Sequence, residues 1–367
     1  MIKIPLSRPF VNDEIREAAL RALYSGRYIL DQECERFEIE LAEYVGTSHA
    51  VLSSSWTAAV LLLHEAMGLR EGDEVLVPSL TAFATVEPML HCGAKPIFVD
   101  VNDTLCIDPH LLERAITSRT VGILPVHLHG HLAEMDPILD VARRFDLWVL
   151  EDCAQALGAR YHGRRVGTFG VGGGFSFYPS KNLTVLGDGG CICTDDDLIA
   201  NRLRMLRNHG RRGKYVHELV GFNLRFNEIQ AAIGRVALRH LESLNQARIA
   251  LAAHYDERLR ALVTIPQTTP GAEPVYHIYS IRTPRRDQLA LYLARSGVET
   301  GIHFPIPIHQ QPVIGERFGQ MPKLPRTERL VGELLSLPLF PELTIDEVDF
   351  VCDRVVEFFA AHEHPKP

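Results

Sequence analysis

The chain has 367 residues, 46% hydrophobic and 23% charged, with 27 Gly and 22 Pro. That is the composition of an ordinary globular protein, with apolar material for a core that needs neither disulfides nor metals. Acidic side chains outnumber basic ones 46 to 38, the net charge is -8, and no block of Lys and Arg offsets it locally, which argues against a nucleic-acid partner. The N-terminal MIKIPLSRPFVNDE has no apolar signal core, and no run of about 18 apolar residues occurs. Seven scattered cysteines without a CxxC read as reduced, mostly buried thiols. These features predict a cytoplasmic protein with no membrane partner.

In chain order, small hydroxyl residues at Ser53-Ser54-Ser55 lead through Trp56, Thr57, Ala58 and Ala59 into an apolar helix. Strand-like runs then follow at Glu74–Pro78, Lys95–Val101, Val121–His127, Leu147–Cys153, Gly174–Tyr178 and Gly190–Thr194. Most are apolar on both faces, as strands are when helices cover both sides of a sheet. Between them, Ile138, Val141, Ala142 and Phe145 fall at helical spacing within Glu134–Phe145. Repeated strand–helix–strand units predict an α/β fold with a mostly parallel sheet. A long helix is predicted from Asn227 to about Leu262, with Ile229, Ala232, Ile233 and Val236 on one face. A proline-rich linker or turn region at 264–271 comes next, then a smaller α+β domain. The expected division is a large domain of residues 1–240 and a small one of 241–367.

The common motifs are mostly absent. There is no P-loop, and Gly170–Phe175 runs into a strand without opening a helix, so it is not a dinucleotide fingerprint. His127, His129 and His131 alternate after a strand, and such residues can share one face and bind a metal. No HExxH or carboxylate-rich partner accompanies them. Loop histidines lining a polar cleft are the favoured reading, and no metal is expected.

Three segments carry more. LEDCAQA (150–156) ends a buried strand in the carboxylate of Asp152, FSFYPSKN (175–182) leads into a turn with Lys181, and SSSWTAA (53–59) opens a helix. Singly they read as a helix cap, a surface lysine and an N-cap. Together they supply what pyridoxal phosphate requires: an amine for the Schiff base, a carboxylate to keep the pyridine nitrogen protonated, and helix-terminal N–H groups for the phosphate. A free lysine has a pKa of about 10.4, so Lys181 must be desolvated or lie near another cation to act as a base near neutrality.

With these segments on the page, the chain resembles the DegT/DnrJ/EryC1/StrS family of sugar-nucleotide aminotransferases, of fold type I. Further matches are GRYIL (26–30), GDEV (72–75), VPSLT (77–81), GAKPIFVDV (93–101), GDGG (187–190), RNHG (207–210), GFNLRFNEIQAA (221–232), PIPIH (305–309) and LSLPLFP (335–341). The resemblance implies that Lys181 forms the Schiff base and shuttles the proton, while Asp152 pairs with the pyridinium and Gln155 approaches the ring hydroxyl. It places Thr57, the amides of Thr57 and Ala58, and Ser176 on the phosphate. Asn223 is implied to reach the phosphate of a neighbouring subunit in a homodimer, and His309 to lie near the sugar-nucleotide pocket. Some members replace the lysine with histidine and dehydrate; Lys181 favours transamination. Three departures stand out: Trp56 replaces a usual Gly, Ala82 a usual aromatic residue, and His129 a usual Tyr in the substrate cleft. Phe83 or Trp56 could supply the lost stacking face, or both could be core packing. The implied activity moves an amino group from L-glutamate to a keto-sugar, most simply one linked to a nucleoside diphosphate. A cyclitol or free keto-sugar acceptor, and a non-catalytic regulator that binds the cofactor, are the alternatives.

Overall fold

Strands with two apolar faces must be covered twice, and the chain satisfies this with a central seven-stranded sheet between helices. The computed structural model describes residues 4–363. The strands are β1 (His49–Ser53), β2 (Glu74–Pro78), β3 (Lys95–Val99), β4 (Thr120–Ile123), β5 (Trp148–Asp152), β6 (Gly172–Ser176) and β7 (Gly190–Thr194). Their spatial order is β1-β7-β6-β5-β4-β2-β3. β7 runs antiparallel to both its neighbours, and the other pairings are parallel. The reversal has a local cause: loop 177–189 contains no helix, whereas a parallel return usually needs a helical crossover.

Alternate residues of each strand enter different cores. Leu52, Val149, Phe175, Cys191 and Cys193 join one cluster with Phe37 and Leu41. Val51, Leu150 and Ile192 join the other, with Trp56, Val60 and Leu63 from the helix Trp56–Met67. All seven cysteines are free and six are buried. The predicted run Val121–His127 is a strand only to Ile123; beyond it, Val126 makes an isolated bridge to Asp152. Lys95–Val101 likewise ends at Val99. β1 was not among the predicted strands, because its five residues sit directly before the hydroxyl-rich helix start.

A third cluster gathers Tyr279, Leu293, Val355 and Phe358 around the antiparallel pair Tyr279–Arg282 and Leu334–Leu337. The 32-residue helix Glu228–Leu259 joins the cores. Its Ala231, Ala237 and Leu241 belong to the first cluster, and its Leu251, Tyr255 and Leu259 to the third. The expected boundary at 240/241 therefore falls inside this helix. The proline-rich segment 264–271 is pinned rather than loose, since the Thr269 hydroxyl donates to the Leu132 carbonyl and the Gln267 N–H to that of Asp103. Among the described residues, no helix is long and apolar enough to cross a membrane.

Candidate active site

Open α/β sheets bind ligands beyond the carboxyl ends of their parallel strands, and the cleft lies there. It has a cavity volume of about 330 Å³ and is lined by residues that follow β2 (Ala82, Thr85), end β5 (Asp152) and end β6 (Ser176). Loop 177–189 adds Tyr178, Ser180, Lys181 and Asp188. On one side stands the N-terminus of the helix Trp56–Met67. Ser55 caps it, its hydroxyl oxygen accepting the Ala58 N–H at 3.0 Å. This helix end sits hard against two glycines: a Cβ at Gly190 would come 2.5 Å from the Trp56 nitrogen, and one at Gly174 2.9 Å from its indole nitrogen. Glycine at both positions lets the helix terminus reach the cleft.

Asp152 is buried at the end of β5. One carboxylate oxygen accepts the Ala154 N–H at 3.0 Å and the other the Thr85 hydroxyl at 2.8 Å. Burial pushes its pKa up, while these hydrogen bonds and the nearby Lys181 and His127 pull it down. Lys181 keeps a partial opening to the cleft, yet the protein around it lowers its pKa to about 8, against the opposing pull of Asp152. A desolvated amine and a buried carboxylate thus share one cavity.

Of the residues singled out from the sequence, Trp56, Thr57, Asp152, Gln155, Ser176 and Lys181 line this cleft. The other candidates lie elsewhere. The Ala58 amide is taken by the Ser55 cap. Phe83 packs at the margin of the second core cluster rather than on the cleft. Asn223 is exposed and accepts from Arg225 Nε at 2.9 Å. His309 is buried against Ser79 (2.7 Å) and Glu328 (3.4 Å). His129 is fully buried behind Gln155, whose side-chain oxygen accepts its N–H at 2.6 Å, and its ring meets Ser280 at 3.1 Å.

The His127–His129–His131 alternation does not present one face. His129 adopts a left-handed backbone with φ 59°, and the three rings diverge. His127 accepts the Ala133 N–H at Nδ1 and so carries its proton on Nε2, facing Glu151 at 3.1 Å. Glu151 also accepts from Gly167 and Phe169 N–H. His127, Glu151 and Cys153 lie close enough together to resemble a metal site, but these hydrogen bonds already occupy the imidazole and the carboxylate. His131 packs edge-on to Tyr276.

His277, Ile278, His303 and Phe304 were not anticipated. They bring the C-terminal region into the cleft wall. Burial lowers the pKa of both histidines, and the Lys181 charge lowers it further. No periodicity marks them, because they lie in irregular chain beside the small sheet.

The residues fit pyridoxal phosphate. Lys181 offers an amine already shifted toward its neutral form, Asp152 a buried carboxylate, and the helix terminus with Thr57 and Ser176 a set of donors for a phosphate.

The sequence profile of the DegT/DnrJ/EryC1/StrS aminotransferase family matches residues 9–356. The chain is 45% identical over 348 residues to a dTDP-3-amino-3,4,6-trideoxy-alpha-D-glucose transaminase of Streptomyces venezuelae, covering 94% of this chain and 92% of that protein. A solved structure of S. venezuelae DesV in complex with a ketimine intermediate superposes with a TM-score of 0.93 at 42% identity, covering 98% and 99% of the two chains. The Bacillus subtilis protein NtdA with bound cofactor PMP superposes with a TM-score of 0.88 at 32% identity, over 96% and 83%.

Proposed function

Because the chain belongs to the DegT/DnrJ/EryC1/StrS aminotransferase family, we propose that it transfers an amino group from L-glutamate to a keto-sugar carried on a nucleoside diphosphate. It is an aminotransferase, and pyridoxal phosphate is its cofactor. The observation that carries the reading is the pairing of Lys181, its amine lowered to about 8, with buried Asp152 across one cleft. The sugar acceptor rests on the dTDP-linked substrate in the name of the 45% identical relative.

The bound cofactor supplies an electron sink for the carbon that exchanges its amino group. Asp152 presents negative charge to the ring nitrogen and keeps it protonated. Lys181 holds and returns the proton at its Nζ, and a lowered pKa lets it do so near neutrality. The Thr57 N–H, the helix terminus and the Ser176 hydroxyl hold the phosphate. Gln155, braced by the His129 backbone N–H at 2.6 Å, would bind beside the ring hydroxyl.

Asn223 is read as a contact to a second copy of the chain. Its exposure fits this, as does the exposure of Tyr24, Tyr28, Val216 and Val220 on neighbouring surface segments. His309 is too enclosed to touch the sugar and is read instead as a brace for the end of β2.

The test is to load the protein with pyridoxal phosphate, add L-glutamate and supply ketones. Release of 2-oxoglutarate with a dTDP- or UDP-linked keto-sugar supports the reading. Turnover of a free keto-cyclitol alone would replace it with the cyclitol reading. Cofactor binding without exchange on glutamate would overturn glutamate as the amino donor.

A further inference from the structure

Asp152 has a buried support that the family-level reading leaves unused. Thr81, just beyond β2, and Thr85, in the single turn Phe83–Thr85, are both almost fully buried. Thr85 Oγ1 lies 2.8 Å from Asp152 Oδ2, and Thr81 Oγ1 lies 2.7 Å from Thr85 Oγ1. We propose that Thr81 and Thr85 form a one-way hydrogen-bond relay that positions Asp152 toward the ring nitrogen of the cofactor.

The direction of the relay follows from donor counting. An ionised carboxylate can only accept, so Thr85 must give its proton to Asp152. Its oxygen is then free only to accept, and the proton of the Thr81–Thr85 contact must come from Thr81. The Thr81 O–H points at Thr85 and the Thr85 O–H at Asp152, so the outer bond polarises the inner one. Asp152 Oδ1 is fixed separately by the Ala154 N–H. With one donor on each oxygen, the carboxylate cannot rotate, and its remaining lone pairs can face the cleft. The charged and titratable groups around it are Lys181, from the loop after β6, His127, from the loop after β4, and its chain neighbours Cys153 and Glu151, the latter bonded to His127. Burial disfavours the charged carboxylate, and the Thr85 hydrogen bond is one of the contributions that favour it. Thr85 borders the cleft, but toward the ring nitrogen it is a positioning residue, acting there through Asp152.

The inference rests on Asp152 being the partner of the ring nitrogen, and the test separates the two claims. The affinity of the cofactor-free protein is measured for pyridoxal phosphate and for the 1-deaza analogue, in which carbon replaces the ring nitrogen. Fluorescence of Trp56, which lines the cleft, reports binding. Thr85→Val is expected to weaken pyridoxal phosphate about tenfold or more while leaving the deaza analogue within about twofold. Thr85→Ser restores the hydroxyl and should return affinity to within about threefold of the parent. Thr81→Val should give a smaller loss with the same selectivity, and it decides the matter if Thr85→Val fails to melt cooperatively. Equal weakening of both ligands, or of neither, would overturn the relay, since a disturbed cleft does not distinguish nitrogen from carbon. Asp152→Asn is the control. If it abolishes the preference for pyridoxal phosphate while Thr85→Val does not, only the relay fails. If it leaves the preference intact, the assignment of Asp152 fails.

Discussion

A lysine enclosed by protein releases its proton more readily than one in water, and Lys181 does so at about pH 8. Two outcomes follow. Lys181→Ala should lower turnover by about 10³-fold or more, measured as glutamate-driven release of 2-oxoglutarate. The second concerns folding without cofactor. The unfolded chain binds this proton up to about pH 10.5 and the folded one only to about 8, so the lysine makes stability rise with pH between those values. Cofactor-free Lys181→Met should lose that rise and melt higher than the parent at pH 7. Lys181, Asp152 and Ser176 were legible in the sequence because each sits at or just after the end of an apolar run, where sheet strands deliver ligand contacts. His277, His303 and Thr85 were not. Each is ordinary in its own stretch of sequence and gains meaning only from what folding places opposite it.

Among the elements, the helix Trp56–Met67 depends on its cap and on the two glycines beneath it. Ser55→Ala removes the oxygen that accepts from Ala58 and should cost about 1 kcal/mol of stability, read by urea unfolding. Gly190→Ala would drive a methyl group to 2.5 Å from the Trp56 nitrogen. The helix terminus must then retreat, and cofactor affinity should fall more than stability does, by about tenfold if one or two hydrogen bonds to the phosphate are lost. Helix positions were well signalled: the predicted Glu134–Phe145 is observed as Met135–Arg144, and the long helix begins at Glu228, capped by Asn227. The reversed direction of β7 was hidden, because an apolar run bears no mark of its direction. Only the missing crossover helix in loop 177–189 betrays it. The histidine alternation misled for a related reason: period-two reasoning holds for extended chain, and His129 at φ 59° is not extended.

Across the whole molecule, several buried histidines are held neutral. Burial lowers His64 to about 3 and His131 to about 4, and both rings are almost wholly enclosed. His129 and His277 are also lowered well below the ordinary value by burial. The unfolded chain takes up these protons near pH 6.5 and the folded chain does not, so their contribution is intact above about 6.5 and is lost as pH falls toward the folded values. At pH 5 His64 and His131 should each cost about 2 kcal/mol relative to pH 7, so acid unfolding should be steep. Both nitrogens of His64 are buried without a hydrogen-bond partner, among the apolar residues of the second core cluster. His64→Leu should therefore raise stability by about 1–2 kcal/mol and blunt the acid sensitivity, both measurable by chemical denaturation at the two pH values.

The helix Glu228–Leu259 spans about 48 Å at 1.5 Å per residue, with one end seated among the residues under the sheet and the other among those of the C-terminal region. A rigid rod shared in this way leaves neither half a complete interior of its own. A chain severed near residue 240 would strip Leu241 from one interior while leaving Leu251, Tyr255 and Leu259 to start the other on a broken helix end. The two halves should therefore melt together in a single transition, and the cleft between them should open and close through its loops, not by a swing of one half against the other.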